Sequence, residues 1–374
     1  MPRVPAPFAV LRRAAAAAVL LVIAAVSVGC APEARDPQLA AIARWEDRRL
    51  APLDSLATFM DGPDAVVRRA AVRAAGLIGR TDALPLMVRR LDDSSQSVAA
   101  QAAFSLGLLG GDVAVPHLTA ALDARHATLR LAAVQGLAHQ QHDGRMLLPV
   151  ALGQDPDLAA AAWTALRNVA AAANRDSLAA AIRAALAHDD DEVRWRVLRC
   201  AERVTDSSLV DQIAPYARHG DVQVRVHALR ALGAQEHPGA LPAVLDSGEH
   251  HGRLRAGDRR RIEVAEARAL GRLAGPALAD DPEGDHDSPA GRVAAQLIRA
   301  AQSTDPHVAE VALAAMAAAV AGIDVPAEAE RRESLLPVWR IRMARAAAQR
   351  RGQAGGDGDA GVRARPAEAR PRAP

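Results

Sequence analysis

One phrase recurs eight times along the chain and constrains its fold more than any other feature. It runs from an acidic residue to a Val, Ile or Leu three positions later, then through small residues, and often ends in Leu-Gly. The branched residues are Val67, Val98, Leu129, Leu158, Val193, Val224, Ile262 and Val308. Their separations of 31, 31, 29, 35, 31, 38 and 46 residues indicate stacked two-helix units instead of one globular core.

Each copy carries the signals of a helix pair. An aspartate such as Asp64 can accept from the free backbone N–H groups of a helix start, and small residues at helical spacing let a neighbouring helix approach closely. In four copies a proline, namely Pro85, Pro116, Pro149 or Pro242, falls in the first turn of the predicted second helix, where a missing N–H costs little. Acidic or serine caps are expected at Asp64, Ser95, Asp155, Asp190, Asp221 and Asp305, whereas His126 and Arg259 depart from the pattern.

These repeats resemble HEAT-type repeats, in particular the short form of phycobilin-lyase-like HEAT proteins, over roughly residues 55–345. The segments 45–49 and 102–110 also look like bacterial proteins in which HEAT repeats precede a cyclophilin-type peptidyl-prolyl isomerase domain. No isomerase domain follows here, so that resemblance implies a repeat-only or truncated member. The expected fold is an all-α, right-handed α-solenoid of about eight helix pairs.

The N-terminus is typical of an exported protein. Arg3, Arg12 and Arg13 precede an apolar run that ends at Cys30. The segment 27–30 resembles a bacterial lipobox, which implies that Cys30 is lipidated and holds the protein on a membrane in the cell envelope. Plain secretion and an uncleaved anchor are the alternatives. Ala31 after Cys30 favours the periplasmic face of the outer membrane.

We expect a signal peptide at 1–29, a lipidated linker with a first helix at 30–54, the solenoid at 55–346 with an acidic insertion at 276–291, and a disordered tail at 347–374. The last 44 residues, 331–374, carry eleven arginines and four acidic residues, although the whole chain has a net charge of only +2. The solenoid itself is therefore net acidic. Nucleic acid is not expected as its partner, and the aromatic residues in the repeats are expected to pack.

No motif for catalysis is present in the sequence. It lacks a Gly-rich phosphate loop, a Gly-x-Ser-x-Gly turn and a Cys-x-x-Cys pair, and no His-Glu dipeptide suggests a HEAT-type iron site. No cofactor is expected. Cys200, the second of the two cysteines, is expected to be a small buried residue.

Two sets of residues could serve binding. An arginine directly follows the branched residue in four copies, and these arginines could form a ladder for acidic partners: Arg68, Arg130, Arg194 and Arg225. The alternative is that they pair with nearby aspartates inside the solenoid. His188 and His219 each lie five residues before a branched residue, which predicts a weak metal- or pH-responsive patch. The alternative is two solvated histidines.

The resulting functional hypothesis is a non-enzymatic, membrane-anchored scaffold that binds a still unknown protein or peptide partner through the solenoid surface. An accessory of a peptidyl-prolyl isomerase or protein-folding system in the cell envelope is the alternative, and a lyase-like enzyme is the weakest hypothesis.

Overall fold

The computed structural model describes residues 36–140, 144–170, 173–248, 254–281, 287–321, 340–342 and 344–345. Every regular element within these ranges is helical, which confirms the predicted all-α class. The chain divides into two compact units, with the boundary between Leu109 and Gly110. The predicted signal peptide, the lipidation residue Cys30 and the predicted tail at 347–374 lie outside the described residues.

The first unit is a short stack of helices. It contains α1 (Pro37–Arg48), α2 (Leu53–Met60), α3 (Ala65–Ile78), α4 (Leu84–Arg89) and α5 (Gln96–Leu109). The odd-numbered helices are the first helices of each pair and pack against one another in order, α1 on α3 and α3 on α5. The even-numbered helices α2 and α4 each pack against the odd-numbered helix that follows.

The second unit repeats this arrangement. Its first helices are α7 (Ala127–Leu137), α9 (Pro156–Val169), α11 (Asp191–Ala201), α13 (Val222–Gln235), α15 (Ala256–Asp280) and α17 (Pro306–Ala319). Its second helices are α6 (Ala114–Ala121), α8 (Leu148–Ala151), α10 (Arg175–Ala185), α12 (Val210–Ile213), α14 (Leu241–Gly248) and α16 (Pro289–Ala301). Each odd-numbered helix packs against the next one, as the predicted stack of repeats requires.

The aspartates of the repeated phrase cap the first helices as predicted. Asp64 Oδ1 accepts a hydrogen bond from Val66 N at 2.8 Å. Asp221 Oδ1 accepts from Val224 N at 2.9 Å. Such a cap satisfies a donor that the helix itself leaves free, and an Ala in its place typically costs about 1 kcal/mol. The acidic residue therefore sets where each helix begins.

The branched residues form the core. All eight of them are buried, with at most 9% of the surface of any one exposed. Glycines bring neighbouring first helices close together. A Cβ on Gly233 would lie 2.8 Å from Ala269 Cα, and one on Gly271 would lie 2.8 Å from Ala315 Cα. Small residues thus determine the spacing of the stack, as the sequence predicts.

Helix α1 precedes the predicted start of the solenoid at residue 55, α2 spans it, and side chains of the two helices are in contact. Trp45 stacks on Phe59 with ring centroids 5.3 Å apart. Glu46 pairs with Arg73 of α3 at 2.9 Å. The phrase is present here too, since Asp36 caps α1 and stands three residues before Leu39.

The segment predicted as an acidic insertion, 276–291, is helical at both of its ends. Helix α15 continues through Pro276 to Asp280, and α16 begins at Pro289. A proline near a helix end removes only one backbone hydrogen bond, and the fully buried Leu278 holds the last turn against the core. Residues 282–286 lie outside the described residues.

Within the described residues, no helix is both long and apolar enough to span a bilayer.

Candidate functional site

Arg68 is a structural clamp in the first unit. Its Nε and Nη2 donate to Asp93 Oδ2 and Oδ1 at 2.9 and 2.8 Å, a bidentate pair. Its Nη1 donates to the carbonyls of Gly62 and Pro63 at 3.0 and 2.8 Å. The side chains of Arg68 and Asp93 are 10% and 3% exposed. Arg68 therefore joins the loop before α3 to the loop before α5.

Arg130 and Arg194 repeat part of this clamp in the second unit. Arg130 Nη1 donates to the carbonyls of Ala124 and Arg125 at 3.1 and 3.2 Å, and its Nη2 lies 3.8 Å from Asp155. As in Arg68–Asp93, the aspartate is 25 residues beyond the arginine. Arg194 hydrogen bonds to the carbonyl of His188. Each guanidinium thus binds the loop that precedes its own helix.

Arg225 belongs to a buried polar cluster between α13, α14 and α15. Its Nη2 donates to the carbonyl oxygen of Ser247 at 2.7 Å and lies 3.6 Å from Glu266 Oε1. Ser247 Oγ in turn donates to Glu266 at 2.8 Å. Burial lowers the pKa of Arg225, and the charge of Glu266 opposes that effect. Glu266, which replaces the usual small residue of the repeat, is the counter-charge of Arg225.

The four arginines predicted as a binding ladder therefore have partners inside their own units. Arg68 and Arg225 are buried, while Arg130 and Arg194 are partly buried. Their geometry matches the alternative stated for them, ion pairing and loop bonding within the solenoid. That these four arginines form a ladder for acidic partners stays a prediction, and their contacts do not support it.

The two predicted histidines occupy equivalent turns. His188 Nδ1 accepts from Asp190 N at 3.0 Å, and His219 Nδ1 accepts from Asp221 N at 3.1 Å. His219 stands 25 residues beyond Arg194, where the other clamps have an aspartate. Burial and the charge of Arg194 lower the pKa of His219. The described residues contain no group of three or more side chains placed to hold a metal ion.

Cys200 is buried as expected. None of its surface is exposed, and burial raises the pKa of its thiol to about 12. The thiol is therefore protonated at neutral pH and is shielded from reagents in solution.

A groove of about 470 Å³ lies over α9, α11, α13 and α15 in the second unit. We call it the arginine groove, and its charged lining is Arg167, Glu202, Arg203, Arg230, Arg268 and Arg272. Small residues of α13 and α15, namely Gly233, Ala234 and Ala269, complete the lining. Its volume is within the roughly 300–1,000 Å³ usual for ligand sites.

The arginines of the groove differ from the clamps in their contacts. Within the part of the chain that the structure describes, none of the five makes an ion pair or a side-chain hydrogen bond, and the buried Nε of Arg167 is without a partner. Glu202, the one acid of the lining, is held 2.6 Å from Nδ1 of His227. Burial lowers the pKa of Arg167, and the charges of Arg199 and Arg203 lower it further.

Such a site can bind anions. Guanidinium groups match carboxylate and phosphate oxygens in a bidentate geometry, and a bound anion would relieve the mutual repulsion of the arginines. The sequence prediction did not include these residues. Part of their signal was an arginine six residues after the branched residue, at Arg230 and Arg268, and ten residues after it, at Arg203 and Arg272.

Comparison with known protein families identifies the repeats. The family model described as HEAT repeats matches residues 53–138 and 178–257. These segments are HEAT repeats. The matches cover parts of both units, and the resemblance predicted from the repeated phrase is thereby confirmed at the level of the repeat type.

The chain is also similar to solved structures. The chain is 15% identical to YibA of Escherichia coli, with a TM-score of 0.51 over 77% of this chain and 98% of that one. An engineered protein is 18% identical, with a TM-score of 0.47 over 78% and 81% of the two chains. The CpcE–CpcF complex of phycocyanin lyase from Nostoc sp. PCC7120 is 18% identical, with a TM-score of 0.37 over 60% and 94%. The YibA likeness shows the fold alone. No curated protein matches in sequence.

Proposed function

We propose that the protein is a non-enzymatic scaffold that a lipid on Cys30 tethers in the cell envelope and that binds a protein partner through its HEAT-repeat surface. Stacked helix pairs offer extended surfaces for such partners. The lipobox-like segment before Cys30 supports the tether, and Ala31 supports the periplasmic face of the outer membrane.

The observation that carries the proposal is the arginine groove. Charged side chains that stabilise a fold normally find partners within it, as Arg68 and Arg225 do. Five arginines that lack such partners among the described residues, gathered on one face of four successive repeats, instead favour a surface that an external anion completes. The groove thus supports binding as the role of the second unit.

A non-catalytic role is supported by Cys200. Its buried thiol, with a pKa raised to about 12, offers no nucleophile for a lyase-like reaction.

Affinity capture tests the scaffold. The lipidated mature protein would be isolated from detergent-solubilised envelopes beside a variant in which a cleavable secretory signal without a lipobox replaces residues 1–30, with fractionation of both. We expect wild-type protein in the membrane fraction together with specific protein partners, and the variant in the soluble fraction. Specific partners absent from the capture would contradict the scaffold, and a variant that stays on the membrane would contradict the lipid tether.

A further inference from the structure

We propose that the arginine groove binds an extended acidic segment of a protein partner, through carboxylates that pair with its guanidinium groups. This inference rests on the proposed scaffold function and names the chemistry of its ligand. It differs from the ladder predicted from the sequence, whose arginines have partners inside the protein.

The spacing of the groove arginines suits separate carboxylates. Arg268 and Arg272 are four residues apart on α15 and therefore lie on one face, a turn from each other. Arg230 comes from the neighbouring α13, and Arg203 follows the end of α11. Several side-chain carboxylates of one extended segment could each meet an arginine from a different repeat.

Small residues form the floor of the groove. Gly233 and Ala269 are buried where α13 packs on α15, and a Cβ on Gly233 would lie 3.1 Å from Ala269 Cβ. Ala234, which is partly exposed, completes this part of the lining. An extended chain that lies over the floor can direct alternate side chains towards the arginines.

The lining disfavours nucleic acid. Single strands bind proteins through a continuous basic groove with aromatic side chains on which bases stack, and none of the lining residues is aromatic. Glu202 interrupts the positive charge, and its bond to His227 holds it in place. A fixed carboxylate repels a continuous polyanion more than it repels carboxylates that are spaced apart.

Fluorescence anisotropy of the full mature chain, made with Cys30→Ser, tests this inference. The probes are a labelled peptide of alternating Glu and Gly, its counterpart with Gln for Glu, and a labelled oligothymidylate. The groove variant is Arg230→Gln/Arg268→Gln/Arg272→Gln. The matched control is Arg73→Gln/Arg89→Gln/Arg260→Gln, which removes the same charge at side chains that are 51%, 52% and 52% exposed.

We expect the Glu peptide to bind wild type and control equally, with a loss of at least about tenfold in the groove variant, since each desolvated charge pair can contribute a factor of this size. The Gln peptide should not bind. Equal affinity of the two triple variants, a Glu peptide that fails to bind wild type, or tighter groove-dependent binding of oligothymidylate would each overturn the inference.

Envelope capture with the same variants separates the two proposals. If wild type and the groove variant retain the same partners, the scaffold stands and the groove inference fails. If wild type captures no partner although the Glu peptide binds in the groove, the scaffold fails instead.

Discussion

Arg68 and Asp93 are joined by two parallel hydrogen bonds of 2.9 and 2.8 Å, with Asp93 almost fully buried at the start of the next repeat. This pair connects two successive repeats within the first unit, and it does so through their loops and not through the packed helices. A charged residue that recurs at fixed spacing can thus stabilise the fold instead of binding another protein.

Removal of Arg68 should destabilise the first unit strongly. The Arg68→Ala variant leaves the buried carboxylate of Asp93 without its main partner, and breaking a buried pair in this way typically costs about 3 kcal/mol or more. Urea unfolding measures the loss. Arg73→Ala is the control, because its partner Glu46 is bound by a half-exposed arginine, and an exposed pair contributes about 1 kcal/mol or less. Equal losses in the two variants would refute the clamp.

The contribution of Asp93 should depend on pH in one direction. The hydrogen bonds from Arg68 lower the pKa of Asp93. A carboxylate with a lowered folded pKa adds stability above the unfolded value of about 3.9, and this stability disappears as the pH falls through the folded value. The unfolding free energies of wild type and Asp93→Asn should therefore differ by a constant amount at neutral pH and converge only below about pH 4. If the two unfolding free energies converged near pH 6, a histidine and not Asp93 would be the titrating group.

Arg225 and Glu266 should behave as a coupled pair. Glu266→Ala removes a carboxylate that lies 3.6 Å from the buried guanidinium of Arg225, which we expect to cost about 3 kcal/mol. The double variant Arg225→Met/Glu266→Leu should lose less than the sum of the two single variants, because both charges are removed together. A double-mutant cycle in urea measures this coupling. Additive losses would mean that the two side chains do not stabilise each other.

The repeated phrase predicted most of the fold, because its signals are local. The caps at Asp64 and Asp221, the buried branched residues and the close small-residue contacts all follow from chemistry within one repeat. Asp36 and Leu39 also repeat the phrase, but the helix there was predicted only as part of a linker at 30–54, because Pro52 precedes α2 instead of lying in its first turn.

The partners of the arginines could not be predicted from the phrase. Whether Arg68 faces Asp93 or solvent depends on how two repeats stack, which is a contact over 25 residues of sequence. Glu266 stands where other repeats have a small residue, and its role as a buried counter-charge of Arg225 depends on a contact between two repeats. The arginine groove forms where four helices lie side by side, so the sequence shows only the spacing of its arginines along the chain.

The contact at Gly233 should not tolerate a side chain. A Cβ there would lie 2.8 Å from the backbone of Ala269, so the two helices would have to separate, at about 1–3 kcal/mol. Gly257→Ala is the control, since its Cβ would meet no atom within 4 Å and should stabilise α15 by up to about 1 kcal/mol. Thermal unfolding should therefore shift in opposite directions for the two variants. A neutral Gly233→Ala would contradict the close packing.

We propose that the protein divides its arginines between folding and binding. The unfolding free energy of Arg230→Gln/Arg268→Gln/Arg272→Gln, measured in urea at low salt, tests this division. Because these arginines have no partner within the described residues and repel one another, the variant should be at least as stable as wild type, and any gain should shrink as salt is added. A loss of about 2 kcal/mol or more would show that the groove arginines stabilise the fold, and would contradict the account.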